Sequence, residues 1–304
     1  MSDARPLLGF HSRAAASSAQ SVGRVRPRRR SGFDLHPPFR LAVLFLVASI
    51  VLLPLLATAF GGLKDAGELR TNPLGLPQVW HWSNYGAILI SPRYWQVLGN
   101  SLLVASVTVV LTLSLAAMAA FAFAHLRFFG EDFLLSYLTL GLMLPAATAI
   151  LPLFISVRDL GLLDSYTGLI LPQTAFGLSM AVLLLRNGFR ALPTELLDAA
   201  RIDGCGYMRY FFHITLPLSR PILSTVGIVA FVGSWNNYLL PLILLNTSSL
   251  YPWPLGLMDY QGEYSTAWQL VLAFITLTIL PAILVFVAAQ RLMVAGLTAG
   301  AVKG

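Results

Sequence analysis

The chain has 304 residues, of which 57% are hydrophobic and only 11% are charged, and its mean hydropathy is +0.74. A soluble globular domain carries roughly 25% charged residues, so this composition excludes most soluble enzyme folds and indicates a membrane protein. The formal net charge is +7. The basic residues concentrate in the first 40 residues and in short loops, a distribution typical of membrane orientation rather than of nucleic-acid binding.

Six long apolar runs predict six transmembrane helices, because a spanning helix needs about 20 apolar residues and lipid offers the backbone no hydrogen-bond partner. The cores of the runs contain no Asp, Glu, Lys or Arg. The runs lie at about 41–60, 96–125, 133–157, 166–185, 221–245 and 267–290. Prolines in or beside the runs predict kinks: Pro145, Pro152, Pro172, Pro241 and Pro281.

The flanking charges predict that both termini are cytoplasmic. An N-terminus inside the cell puts 16 of the 20 Lys and Arg residues in cytoplasmic segments. Residues 1–38 are Arg-rich and are expected to form a disordered cytoplasmic tail, so residues 39–304 would be the membrane-spanning part. A signal peptide cleaved near 57–59 is disfavoured, because its apolar run is too long and its loss would break this topology.

The polar stretch 186–220, between the fourth and fifth runs, predicts a helical hairpin. A helix is expected to begin at Thr194, with Glu195 in the first turn, where a carboxylate opposes the positive helix end. Gly204 is placed to end this helix in a left-handed conformation, and a second short helix follows at about 205–214. On physical grounds alone, a capped amphipathic hairpin that simply lies on the membrane explains this stretch as well as a functional loop does.

Four stretches, in this order, resemble the permease subunits of binding-protein-dependent ABC importers, in the carbohydrate, maltose-type branch. The likeness covers about residues 39–304, and the family's Glu-Ala-Ala motif stands here as Asp198-Ala199-Ala200. The stretches are Asn100–Leu102, Leu197–Gly204 followed by Leu216-Pro217, Gly233–Pro241, and Gln290-Arg291 with Gly296–Gly304.

The resemblance implies the type I ABC importer permease fold, with its core unit at about 97–290. It implies that the chain is a non-catalytic subunit of the plasma membrane, which forms one half of a pore for a carbohydrate. The implied partners are a second homologous permease subunit, two ATP-binding cassette ATPase subunits and an extracytoplasmic sugar-binding protein.

The resemblance also implies that loop 194–215 couples the pore to an ATPase. Its EAA-loop residues would be Glu195, Asp198, Ala199, Ala200, Arg201, Asp203 and Gly204. The C-terminal residues Gly300, Lys303 and Gly304 would extend toward the ATPases. The chain has no Gly-x-x-x-x-Gly-Lys-Ser/Thr loop, so ATP and Mg are expected on partner subunits, and no cofactor or metal is expected in this chain.

Amide and aromatic side chains in the spans suit a hydroxyl-rich sugar, although hydrogen bonding between helices is the simpler interpretation of the amides. The candidate substrate residues are Gln173, Trp235, Asn236, Asn237 and Tyr238.

Three alternatives remain open at this point. The first is the same architecture with glycerol phosphate, a polyamine or another polar solute as its substrate. A secondary transporter is disfavoured, because the span cores lack the ionisable residues that such carriers use. An intramembrane enzyme would depend on a histidine such as His125 or His213, and both lie at or beyond span edges.

Overall fold

The structure, a computed structural model, describes residues 37–143, 145–262 and 265–301. The regular secondary structure of these residues is helical, apart from an isolated antiparallel bridge between Gln261 and Thr266. The arginine-rich tail, as far as residue 36, lies outside the described residues. The helices are α1 Pro37–Gly61, α2 Ala66–Thr71, α3 Trp82–Ile90, α4 Pro92–His125, α5 Glu131–Leu140, α6 Ala146–Asp159, α7 Tyr166–Arg190, α8 Thr194–Ile202, α9 Tyr207–Tyr210, α10 Leu216–Leu218, α11 Arg220–Trp235, α12 Leu239–Leu244, α13 Trp253–Gly256 and α14 Trp268–Ala301.

Four helices, α1, α4, α7 and α14, are long and apolar enough to cross a membrane. They correspond to the first, second, fourth and sixth predicted runs. A fifth candidate is a bent pair, Tyr207–Leu218 followed by Arg220–Trp235, whose two parts meet at 77°. The chain also divides into two units after Val51. The unit that begins at Leu52 contains every packed cluster described below.

The third predicted run, 133–157, is two helices rather than one. Helix α5 has 10 residues and α6 has 14, and each is shorter than a straight span requires. The break follows from local chemistry, because Pro145 has no N–H to donate and instead stands as the residue before α6. The backbone N–H of Gly141 bonds back to the carbonyl of Leu138, which satisfies the end of α5.

The fifth predicted run is interrupted as well, since α11 ends at Trp235 and α12 begins at Leu239. One backbone N–H at this gap finds a local partner, because the side-chain Oδ1 of Asn237 accepts from the N–H of Leu240 at 3.1 Å. The short helix predicted at 205–214 extends further, to Leu218, through a π-helical segment at Phe211–Thr215. Pro217 is tolerated there because it lies in the first turn of α10.

Helix α4 packs against α7 and α11 through a seam of small side chains. Small residues let two helix backbones approach closely in a membrane. The seam residues follow one another at intervals of three or four along α4, and all are buried: Ser101, Ala105, Thr108, Thr112, Ala116 and Ala120. A different close contact occurs at the start of α7. A Cβ added at Gly168 would overlap the carbonyl oxygen of Leu162 in the preceding turn, so only glycine fits that position.

The two ends of this bundle differ in character. The hairpin end holds His125, Arg190 and α8, and the loop end holds Pro92, Tyr166 and the loop 245–260. At the hairpin end a cluster of buried side chains joins α4, α7 and the segment around α9. Its larger members are Phe121, Phe123, Leu185, Phe189, Tyr210 and Phe211.

The loop 245–260 is fastened to the start of α4 by polar contacts. The Arg93 Nε donates to Asp259 Oδ2 at 2.8 Å. The amide of Asn100 donates to the carbonyl oxygens of Ser249 and Tyr251. Asn100 lies inside α4, which begins at Pro92. Its side chain is therefore a tether between α4 and the loop.

A second fastening joins the turn after α6 to the same loop. Asp164 stands in the left-handed region with φ 54°, which orients its carboxylate toward the loop. The carboxylate accepts hydrogen bonds from the hydroxyl and backbone N–H of Thr247 and from the backbone N–H of Asn246. These bonds hold the pKa of the Asp164 carboxyl below its ordinary value of 3.8.

The lowered pKa of Asp164 predicts a pH-dependent contribution to stability. A carboxylate whose pKa falls on folding stabilises the protein above its unfolded pKa, and this contribution is lost as the pH falls through the folded value. We expect Asp164→Asn to lower the thermal unfolding temperature at neutral pH, and the difference from wild type to shrink as the pH falls below about 4. The matched control is Asp159→Asn, since Asp159 is paired with its neighbour Arg158 rather than with the loop. A difference that stays constant with pH would contradict the prediction.

Candidate functional site: an exposed helical hairpin and a polar cavity

The hairpin begins where the sequence predicts it. Helix α8 starts at Thr194 directly after Pro193, with Glu195 in its first turn and Arg201 in its last. Both charges oppose the partial charge at their end of the helix. Asp198 and Arg201, one turn apart, approach to 3.9 Å on the exposed surface.

Gly204 makes the turn between the two arms of the hairpin. It has φ +73°, in the left-handed region that a residue with a Cβ enters at a cost. The turn satisfies the last carbonyls of α8, because Cys205 N–H donates to the Ala200 oxygen at 2.8 Å. The chain then enters α9 after Gly206, which has an ordinary φ of −72°.

Most of the predicted coupling residues are exposed on this hairpin. The exposed ones are Glu195, Asp198, Ala199, Arg201, Asp203 and Gly204. Ala200 is buried and packs in the cluster at the hairpin end. Two large apolar side chains stand beside the charges, since Ile202 is 87% exposed and Met208 is 72% exposed. Gly300 lies in α14, whereas Lys303 and Gly304 lie outside the described residues.

The hairpin is anchored firmly to the ends of the spans. Tyr210 is 1% exposed, and its ring lies 5.8 Å from that of His125 and 6.2 Å from that of Phe121, at the end of α4. At the same end, α7 is bonded to α4, because Arg186 and Arg190 both donate to the carbonyl oxygen of Phe123. A displacement of the hairpin would therefore act directly on α4 and α7.

A cavity of about 310 Å³ lies between α4, α6, α7, α11 and α12. Most of its wall is apolar. Its polar lining residues are Thr108, Thr112, Gln173, Ser234 and Asn237. Among the residues that the structure describes, no charged side chain lines the cavity.

Several polar atoms at the cavity are buried without a protein partner. Gln173 accepts from the Ser234 hydroxyl through Oε1, while its Nε2 has no hydrogen-bond partner in the part of the chain that the structure describes. The hydroxyls of Thr108 and Thr112 are buried and unpaired in the same wall. A buried polar group without a partner costs about 1–3 kcal/mol, so such groups indicate a place for water or for a hydroxyl-bearing ligand.

The structure separates the five predicted substrate residues. Gln173 and Asn237 line the cavity, and Trp235, Asn236 and Tyr238 do not. Trp235 is buried against Phe231, with the rings stacked 5.4 Å apart, and Asn236 bonds back to its own helix. The end of α11 at Trp235 explains this separation, because residues beyond it no longer follow the helical period.

Sequence reasoning missed Thr108, Thr112 and Ser234. The two threonines are four residues apart in an otherwise apolar helix, so they share one face. That spacing was the available signal, although it does not tell a cavity from a helix contact. Within residues 37–143, 145–262 and 265–301, no group of three His, Cys, Asp or Glu side chains is placed to hold a metal ion.

Comparison with known proteins identifies the family. A family profile described as "Binding-protein-dependent transport system inner membrane component" matches residues 112–297. The chain belongs to this family. It is therefore a permease subunit of an ABC transport system and a multi-pass protein of the plasma membrane.

Relatives and a solved structure agree with the family. An arabinooligosaccharides transport system permease protein of Halalkalibacterium halodurans is 36% identical over 85% of this chain and 93% of that protein. A trehalose transport system permease protein of Mycobacterium tuberculosis is 34% identical over 85% of this chain and 95% of that protein. A chain of a bacterial ABC transporter involved in the import of the acidic polysaccharide alginate has the same fold, with a TM-score of 0.72 and 23% identity over 84% of the permease and 95% of that chain.

A substitution at Gly204 tests whether the hairpin of the permease contains a left-handed turn. Gly204→Ala should destabilise the hairpin by about 1–2 kcal/mol, because the new Cβ is strained at φ +73°. Gly206→Ala is the matched control, since its φ is ordinary and neither new Cβ would meet a neighbouring atom. The measurement is the rate of limited proteolysis between α8 and α9 together with thermal unfolding. Equal effects of the two substitutions would rule out the left-handed turn.

Proposed function

We propose that the permease is one half of the pore of a carbohydrate importer, driven by ATP hydrolysis on separate ATPase subunits. The observation that carries this proposal is the hairpin of α8 and α9. It exposes Ile202 and Met208 next to Asp198, while Ala200 and Tyr210 lock it onto the spans. Large apolar side chains rimmed by charge are typical of a protein docking surface.

The proposed topology has six spans and places the hairpin end in the cytoplasm, with both termini there. Helices α5 and α6 together form the third span, broken before Pro145, and α11 and α12 together form the fifth span, broken after Trp235. The distribution of Lys and Arg supports this orientation, and broken helices are tolerated where they border a cavity in the protein. We assign the transporter core to about residues 97–290 and the arginine-rich residues 1–38 to a cytoplasmic tail.

In the proposed mechanism, two ATPase subunits close on ATP and Mg, and one of them moves the hairpin. The exposed apolar side chains of Ile202 and Met208 form the docking surface together with Glu195, Asp198, Ala199, Arg201, Asp203 and Gly204, and Ala200 lies beneath it. The buried contacts of Tyr210 and the bonds of Arg190 to Phe123 and to Glu131, at 3.1 and 3.5 Å, carry the motion to α4, α5 and α7. Alternating access then follows as a rigid-body movement against a second, homologous permease subunit. The C-terminal segment with Gly300, Lys303 and Gly304 extends toward the same ATPases.

The substrate that we propose is a sugar or sugar derivative, handed over at the loop end by an extracytoplasmic binding protein. The unpaired donors of Gln173, Thr108 and Thr112 suit sugar hydroxyls. The lack of charge in the described cavity wall argues against glycerol phosphate and against a polyamine, since each would leave a charge unpaired. It also argues against a secondary transporter, which would need an ionisable group there.

Docking at the hairpin predicts loss of the ATPase from an Ile202→Glu variant. A charge at the centre of an apolar contact should weaken association by about tenfold or more. The readouts are the amount of ATPase subunit that copurifies and its ATP hydrolysis. Leu160→Glu is the control, because Leu160 is 70% exposed in the turn after α6, at the opposite end of the bundle. Full retention of the ATPase by Ile202→Glu would contradict the proposed docking surface.

The cavity predicts a substrate effect for Thr112→Val. Loss of one hydroxyl contact should raise the KM for uptake by about fivefold. Uptake is measured in cells with labelled trehalose, an arabinooligosaccharide, glycerol 3-phosphate and spermidine. Thr225→Val is the isosteric control, because the Thr225 hydroxyl bonds to Pro221 in its own helix and does not line the cavity. Uptake of only a charged solute, or equal KM values, would contradict the proposed site.

A further inference from the structure

A second groove, of about 380 Å³, lies where α1 ends and α14 begins. It belongs to neither the hairpin nor the polar cavity. Helix α2 and the chain after it form the remaining wall. The lining residues are Ala57, Thr58, Ala66, Leu69, Arg70, Pro73, Leu74, Thr266, Trp268, Gln269 and Leu272.

The wall of this groove combines polar and apolar side chains. Arg70 brings a guanidinium, and Trp268 and Gln269 bring an indole N–H and an amide. Leu69 and Leu272 supply large apolar side chains. Among the described lining residues Arg70 is the only charged side chain, so the groove is complementary to an anion with an apolar body.

Nearby carboxylates do not neutralise Arg70 in the described part of the chain. Asp65 accepts the backbone N–H of Glu68 as the cap of α2, and it lies 3.8 Å from His81. Glu68 accepts the backbone N–H of Gln78 at 2.7 Å. Both acidic side chains are thus engaged with their own loop, and neither lines the groove.

The exposed side chains near the groove are of the kinds found at the headgroup level of a bilayer. The segment that follows α2 exposes large apolar side chains, with Leu74 80% exposed and Leu76 64% exposed. Trp80 and Trp82 stack on each other with ring centroids 6.0 Å apart, and both are exposed. Aromatic side chains concentrate at the headgroup level of a bilayer. Because two spanning helices end here as well, the groove opens at that level.

We propose that this groove binds one bilayer phospholipid through its phosphate. Arg70 contacts the phosphate, Gln269 and Trp268 donate to the headgroup and ester oxygens, and an acyl chain lies along Leu69 and Leu272. An anionic headgroup such as phosphatidylglycerol is favoured over phosphatidylcholine, because the groove carries the positive charge of Arg70 and phosphatidylcholine brings a compensating cation of its own. The bound lipid would join α2 to α14.

The test is native mass spectrometry of the full chain, released with its copurifying subunits from nanodiscs that contain both palmitoyl-oleoyl phosphatidylglycerol and the matching phosphatidylcholine. We expect wild type to retain phosphatidylglycerol, and Arg70→Gln to reduce its occupancy by about fivefold. Arg70→Lys should retain more lipid than Arg70→Gln. Arg158→Gln is the control, since Arg158 is exposed in α6 and pairs with Asp159 outside the groove.

Three results would overturn the proposal. Equal retention by wild type and Arg70→Gln would place the lipid elsewhere. Displacement of the lipid by millimolar inorganic phosphate would indicate a site for free phosphate. The third result concerns a Gln269→Cys variant in lipid-free detergent. If a copurified subunit protects its thiol from an impermeant maleimide, the groove has a protein occupant. Thermal unfolding of each variant in detergent shows that lost retention does not arise from misfolding.

Discussion

The close packing of α4 against α7 is the contact on which the other features depend. Helix α4 reaches both ends of the bundle, and its buried face is built from small residues at helical spacing. At the loop end, Asn100 and Ser101 hold the loop 245–260. In the middle, Thr108 and Thr112 face the cavity. At the hairpin end, Phe121 and His125 receive the ring of Tyr210.

The buried Ser and Thr side chains of this helix each have a partner or line the cavity, since Ser101 accepts from the N–H of Trp253 and Thr108 and Thr112 face the cavity. In lipid a backbone or side-chain polar group must be satisfied within the protein, and this requirement excludes chance placement of hydroxyls and amides. Thr276 and Thr278 of α14 obey the rule by bonding to carbonyls of their own helix, Thr276 to Leu272 and Thr278 to Phe274. Among the described residues, the hydroxyls of Thr108 and Thr112 have no such partner, and their position in the cavity wall distinguishes them from other unpaired hydroxyls such as that of Thr215.

The sequence predicted those features that depend on local chemistry. Four apolar runs are continuous helices, since length and hydropathy decide them. The start of α8 at Thr194 and the left-handed Gly204 follow from capping and backbone sterics. The break before Pro145 and the gap after Trp235 were not predicted, because a proline or an asparagine within an apolar run is compatible with a kink and with a break alike. The cavity was predicted only through Gln173 and Asn237, since Thr108 and Thr112 reach it by the packing of α4 on α7.

The distribution of charge separates the two ends from the middle of the permease. At the hairpin end, Arg186 and Arg190 neutralise the carbonyl terminus of α4, and Glu131 approaches Arg190 from α5, so charges link three helix ends into one unit. At the loop end, Asp164 and Arg93 hold the loop 245–260 in the same way. The described cavity wall between them is neutral. Charge-assisted hydrogen bonds are stronger and more specific in geometry than neutral ones, so they define the positions of the helix ends, whereas the described cavity wall carries no charge. In the proposed mechanism, a displacement of the hairpin would therefore move the linked ends of α4, α5 and α7 together, and the neutral cavity between the two ends of the bundle would change in shape.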